Sequence, residues 1–184
     1  MKYWPVPESY SEEMPQPGEK GSFWENRGEF FNCGVEIYAP ENSTILAIES
    51  GMVIDKGVFT TSEKKIYWNT TYYITIKTAE NINYKYCELS EVYPHIGDFI
   101  DAGQEIGRVG KSINKERITS KAPYYVRELV KNGNPHKLHL ELYKSPINEV
   151  RPYSGGNFEG KERPQSLLDP LIVLSEISKK NDNE

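Results

Sequence analysis

The chain reads as a mainly β, antiparallel protein, and three observations point that way. Segments with the period-two alternation of half-buried strands recur in GVEIYA, YYITIK, YKYCEL and LHLELY. The stretch HIGDFIDAGQEIGRVG sets glycines around short β runs, as tight turns in a strongly twisted β structure require. Helical spacing is confined to one short internal segment and one segment near the C-terminus.

Taken in order, residues 1–30 are rich in proline, glycine and charge, with rings at Trp4, Phe23, Trp24 and Phe30, and Phe31 just beyond. They are expected to form an irregular arm, anchored by these rings on a domain spanning 31–178. In GVEIYA, Val35, Ile37 and Ala39 share one face, and Glu36 and Tyr38 the other. A turn at Pro40-Glu41-Asn42 leads to TILAIES, and Gly51 leads into MVIDKGVF. Residues 72–77 and 84–89 read as a hairpin joined by the turn signals of 79–83. An insertion at about 111–136 carries a predicted helix over 122–132, with Tyr125, Leu129 and Val130 at helical spacing, Pro123 near its start and Gly133 near its end. Residues 150–164 read as a glycine- and proline-rich loop. SLLDPLIVLSEISKK reads as a turn and a short helix that packs its leucines on the domain, and 179–184 as a frayed tail.

Composition narrows the function. With 27% charged and 37% hydrophobic residues, the 184-residue chain suits one globular domain with a sizeable core. A net charge of −5 without a basic block excludes a nucleic-acid partner, and no apolar run is long enough to span a bilayer. The N-terminus lacks an apolar h-region, so the sequence as written is expected to be cytoplasmic, and extracellular only through a removed leader or non-standard export. Two cysteines, Cys33 and Cys87, are too few for a disulfide framework and are expected to be buried thiols. The sequence leaves the oligomeric state open.

Five segments in order carry a resemblance: NCGVEIYAP, PENSTILAIESGMVI, YKYCEL, GDFIDAGQEIGRVG and LHLELY. They resemble the patterns H-x-G-x-D-hydrophobic-x-A-P, G-x-x-V-x-A-x-x-x-G-x-V, Y-x-H-L, G-D-x-V-x-x-G-Q-x-I-G-x-x-G and H-x-H-x-E of the lysostaphin/LytM-type zinc metalloendopeptidases, over residues 32–143. The resemblance implies an antiparallel β-sandwich (the duplicated hybrid motif) with its site in a groove on one sheet, and hydrolysis of peptidoglycan cross-bridges. Carried over position by position, it places metal ligands at Asn32, Glu36 and His139, and the assisting groups at Glu88 and Lys137.

The residues present at those positions change the expected chemistry. Zinc takes imidazole, thiolate or carboxylate ligands, and a catalytic centre holds three of them plus water. Glu36 and His139 qualify, whereas Asn32 offers a neutral amide oxygen and Lys137 an ammonium that a dication repels. Glu88 is a candidate third carboxylate ligand. The expectation is therefore a non-catalytic domain with a degenerate site and no bound cofactor, zinc being the only metal implied. Its groove, with Tyr86, Glu141 and Asn32 as lining residues, is expected to bind a peptide, a peptidoglycan-like glycan or a protein partner. The alternative is a zinc endopeptidase using a modified Glu36/His139 site, with Glu88 as a further ligand. A metal-free groove predicts Lys137 paired with Glu36 or Glu88 across the sheet.

Overall fold

The computed structural model describes residues 1–133, 136–144 and 153–181. Twelve strands and two helices are defined among them: β1 (Phe31–Asn32), β2 (Val35–Tyr38), β3 (Thr44–Leu46), β4 (Gly51–Thr60), β5 (Thr71–Lys77), β6 (Ile82–Val92), β7 (Phe99–Ile100), β8 (Glu105–Val109), α1 (Tyr124–Lys131), β9 (Lys137–Lys144), β10 (Tyr153–Ser154), β11 (Asn157–Phe158), β12 (Leu167–Leu168) and α2 (Leu171–Asn181). All strand pairings are antiparallel, as the hairpin and turn signals require.

The larger sheet runs β12–β9–β6–β5–β4–β7, with β2 on the same edge of β9 as β12. β6 is shared: its first part pairs with β5 and β9, and its end, from Leu89 to Val92, pairs with β8, which also carries β3. A small separate sheet, β1–β11–β10, flanks the start of β2.

Leucine alternation in β9 decides the layering. Leu138, Leu140 and Leu142 join the main core with Val35, Ile37, Ile74, Ile76, Tyr84 and Tyr86, which leaves Lys137, His139 and Glu141 on the opposite face. Residues 137–143 are all buried, so that second, polar face is covered as well. Gly34 permits the close approach of β2 and β9, since a Cβ there would lie 2.1 Å from the Leu140 carbonyl oxygen.

The arm contributes to the same core through Trp4, Val6 and Phe23, while Trp24 stacks on Phe31 at 4.8 Å between ring centroids. A second cluster of Tyr67, Trp68, Ile113, Ala122, Val126 and Leu129 anchors the insertion. At eight residues, α1 is shorter than the ~12–15 that an isolated helix needs, so its docked apolar face holds it. That face differs from the expected one: Val126 and Leu129 are buried, and Tyr125 and Val130 only half-buried.

Two further expectations change. The stretch read as loop contains the β10–β11 hairpin, turned by Gly155 and Gly156 at φ of 55° and 80°. Both residues of that turn need the left-handed region, which glycine reaches without a Cβ penalty. At the C-terminus, α2 docks Val173, Leu174 and Ile177 and runs to Asn181, into the stretch expected to fray. Residues 182–184 of that stretch, 150–152 of the expected loop and 134–135 of the expected insertion lie outside the described residues.

Candidate functional site: a closed, charged cleft

The covered face of β9 carries most of the candidate site residues. Register places Glu36 of β2 and Cys87 of β6 on either side of His139, Tyr38 opposite Lys137, and Lys85 opposite Glu141. Strand alternation alone would turn Glu88 away from this row. A bulge returns it: Cys87 pairs with Tyr73 and Leu89 with Tyr72, leaving Glu88 unpaired at a φ of 66°. Glu88 therefore faces the cleft beside Lys137, with Cys87 on the same side.

The charges are interlocked. Lys137 Nζ lies 3.2 Å from Glu88 Oε1 and 3.8 Å from Glu36 Oε1. Ser112 donates to the other Glu88 oxygen at 2.7 Å, and the Tyr38 hydroxyl donates to Glu36 Oε2 at 2.6 Å. The arm supplies a second cation. Arg27 Nη2 sits 2.6 Å from Glu36 Oε1, its Nε donates to Glu25 at 3.0 Å, and its Nη1 donates to Asn157 Oδ1 at 3.0 Å. The guanidinium also lies over the Tyr125 ring, 5.1 Å from its centroid.

A second cluster continues along β9. His139 Nε2 lies 3.1 Å from Glu141 Oε1, and Glu141 also accepts from the hydroxyls of Tyr143 and Tyr153. Lys85 donates to Tyr153 and is flanked by the rings of Tyr73, Phe59 and Tyr153 at 4.8, 5.5 and 4.6 Å. Gly156 presses on His139, where a Cβ would come within 2.5 Å of Nε2.

Protonation follows from this geometry. Burial alone would raise the Glu36 carboxyl, but Arg27 and Lys137 outweigh it and hold the group well below the usual carboxylate range. Glu141 is likewise lowered against its burial, chiefly by Lys85 and His139. Burial opposes the Lys137 ammonium, yet Glu36 and Glu88 raise its pKa above the ordinary lysine value. Burial pushes the Cys87 thiol up.

The cleft is roofed by Tyr125, Val126 and Leu129 of α1, by Trp68 and by Gly155 and Asn157 of the hairpin, which leave a cavity of about 30 Å³. That is room for about one or two waters.

The structure sorts the candidate residues accordingly. Glu36, Glu88, Lys137, His139 and Glu141 are brought together on one buried face. Tyr86 is not with them: it belongs to the main core, where its hydroxyl accepts from the Ile48 amide at 2.9 Å. The bulge at Glu88 is the physical reason, because Tyr86 and Glu88 then point to opposite sides. Tyr84 is a core residue for the same reason of alternation. Asn32 is buried on β1, its amide nitrogen donating to the Ser22 carbonyl at 2.8 Å, and it is not among the residues lining the cavity. Among the described residues no group of three or more His, Cys, Asp or Glu side chains is arranged to hold a metal ion. Cys33 and Cys87 are both buried and not disulfide-bonded.

Sequence reasoning missed Arg27, Tyr38, Asn157 and Gly156. Arg27 carries no local motif; alternation places Tyr38 on the Glu36 face but assigns it no role there; and the Gly-Gly of YSGGNF is a hairpin signal that would have pointed to Asn157 and Gly156.

Solved structures share the fold, two of them as follows. The lytM protein of Ruminococcus gnavus superposes with a TM-score of 0.55 at 19% identity, covering 97% of this chain and 61% of that one. The antimicrobial peptidase lysostaphin of Staphylococcus simulans does so at 0.53 and 16% identity, covering 96% of this chain and 56% of that one. The chain thus spans less than two thirds of either. A comparison with curated protein sequences finds no match. The sequence pattern of peptidase family M23 matches residues 30–149, well over half the chain, and with the mainly β, lysostaphin-like fold this agrees with the order of motifs read from the sequence. The chain belongs to peptidase family M23.

Proposed function

We propose that this is a non-catalytic family-M23 domain, in which ion pairs take the place of a metal centre and the cleft serves recognition rather than hydrolysis. The observation that carries this is the pairing of Glu36 with Arg27 at 2.6 Å, with Lys137 bridging Glu36 and Glu88.

The donors fit zinc poorly. A dication placed ~4 Å from either cation would meet a repulsion of order 8 kcal/mol at an effective dielectric constant of about 20. Glu36, the soundest carboxylate, is already satisfied by Arg27 and Tyr38. A Glu36/Glu88/His139 set is no better, since the ammonium of Lys137 lies within 4 Å of both carboxylates. Nor are the two positions of the family's assisting groups free for proton transfer: Lys137 is held protonated by Glu36 and Glu88, and Glu88 is engaged by Lys137 and Ser112.

The partner we infer is a peptide, a peptidoglycan-like glycan or a protein segment. Small-molecule sites run to roughly 300–1,000 Å³, so a cavity of about 30 Å³ admits such a segment only when α1 and the β10–β11 hairpin give way. The polar groups it would meet are Glu36, Glu88, Lys137, His139 and Asn157.

The test is zinc content and affinity in the purified wild type, in Asn32→His/Lys137→His, and in those changes combined with Arg27→Ala. Wild type is expected to carry no stoichiometric zinc. Restoring the two histidine positions is expected to give only weak binding while Arg27 still occupies Glu36, and the triple variant to bind more tightly. Tight, stoichiometric zinc in the wild type would overturn the proposal in favour of an endopeptidase using Glu36 and His139.

A further inference from the structure

We infer that Arg27 is the built-in cation of this cleft, and that the seat it fills is a binding site for a guanidinium-class cation which the N-terminal arm occupies in cis. The inference rests on the non-catalytic reading of the cleft, because a metal at Glu36 would compete for the same seat.

Four separate parts of the fold converge on one side chain. Glu25 comes from the arm, Glu36 from β2, Asn157 from the β10–β11 hairpin and Tyr125 from α1: Glu25 spans Nε and Nη2, Glu36 shares Nη2, Asn157 takes Nη1, and the Tyr125 ring lies against the group. Acceptors in the plane and an aromatic ring against the face are the recognition pattern of a guanidinium; an ammonium, a point charge, cannot match it. The pair is desolvated as well: the side chains of Arg27 and Glu36 are 6% and 4% exposed. A surface bridge contributes little, but a buried carboxylate left without its cation is strongly destabilising.

The arm is shaped to deliver the group. Arg27 N donates to the Phe30 carbonyl at 2.8 Å, closing a turn in which Gly28 takes a φ of 93°. Glu25 is itself fixed, since its carboxylate accepts from the Gly21 amide at 2.9 Å and its carbonyl from Asn32 N at 3.0 Å. The Glu36 amide donates in turn to Gly21 at 2.9 Å, so the arm and β2 are locked together on both sides of the guanidinium. Withdrawing the side chain while keeping this frame leaves one buried and one half-buried carboxylate, an amide oxygen and a ring around a guanidinium-sized gap.

The experiment is chemical rescue in the full chain. Arg27→Ala is expected to lower Tm by about 10 °C. Millimolar guanidinium is expected to recover a substantial part of that loss, whereas equal concentrations of sodium or tetramethylammonium chloride recover little, and wild type shows no gain. Arg27→Ala/Glu36→Gln is expected to lose the rescue. An Arg27→Ala protein as stable as wild type, or one recovering equally with all three salts, would overturn the inference. Should Arg27→Ala fail to fold, wild type supplies the test by NMR: the Arg27 Nε proton is expected to be resolved and slow to exchange, and exchange at the rate of an exposed arginine overturns the inference. Zinc in the wild type would sink the functional proposal, while a zinc-free wild type together with failed rescue of Arg27→Ala sinks this inference alone.

Discussion

Glu36 sets the electrostatics of the cleft, because it accepts from Arg27 and Tyr38 and lies beside Lys137. Its pKa is held below the unfolded value, so the unfolded chain binds the proton first on acidification. The stability it contributes is complete above about pH 4.5 and lost as pH falls toward the folded pKa. Lys137 has the opposite sense: its pKa is raised, so its contribution is whole below the unfolded value of 10.5 and lost as pH climbs past it. Glu36→Gln is therefore expected to reduce stability at neutral pH by about 3–5 kcal/mol, as for a broken buried pair. It should also flatten the loss of stability below about pH 4.5, because one depressed carboxylate is gone. Urea unfolding across pH checks both, and an unchanged acid slope would remove Glu36 from this role. At this scale the sequence exposed the carboxylates and Lys137 but not Arg27, two of whose four neighbours, Tyr125 and Asn157, lie far along the chain.

Among the elements, β6 and α1 decide what the cleft is. β9 was legible, since the leucines of LHLELY mark the core face and place Lys137, His139 and Glu141 together. β6 was not, because one extra residue at Glu88 exchanges the faces that alternation assigns. α1 is the roof, held by Val126 and Leu129 in the satellite cluster rather than by intrinsic helicity. Leu129→Ala is expected to destabilise the protein by about 2–3 kcal/mol. Native-state hydrogen exchange is expected to show α1 amides opening faster while β5, β6 and β9 keep their protection. Uniform loss of protection would mean the roof is not a separate unit. Local opening of the roof is the motion by which the proposed partner segment would reach the cleft.

Across the whole molecule, the arm and the β domain share one core, with Trp4, Val6 and Phe23 buried among the sheet residues and Arg27 buried in the cleft. Deleting residues 1–30 is expected to leave a chain without cooperative thermal unfolding. A truncated chain that melts at the wild-type Tm would show instead that the arm is an appendage. No helix among the described residues is long and apolar enough to cross a membrane. By itself the sequence determined the mainly β fold and the strands that carry the cleft, because alternation and glycine punctuation are local consequences of burying one face of a strand, and the order of its five motifs carried the family resemblance. Only the tertiary structure decided that the cleft is closed and holds Arg27 against Glu36. Electrostatic partners are set by distance in space, and neither the span from Arg27 to Asn157 nor the bulge at Glu88 leaves a periodic trace in the chain.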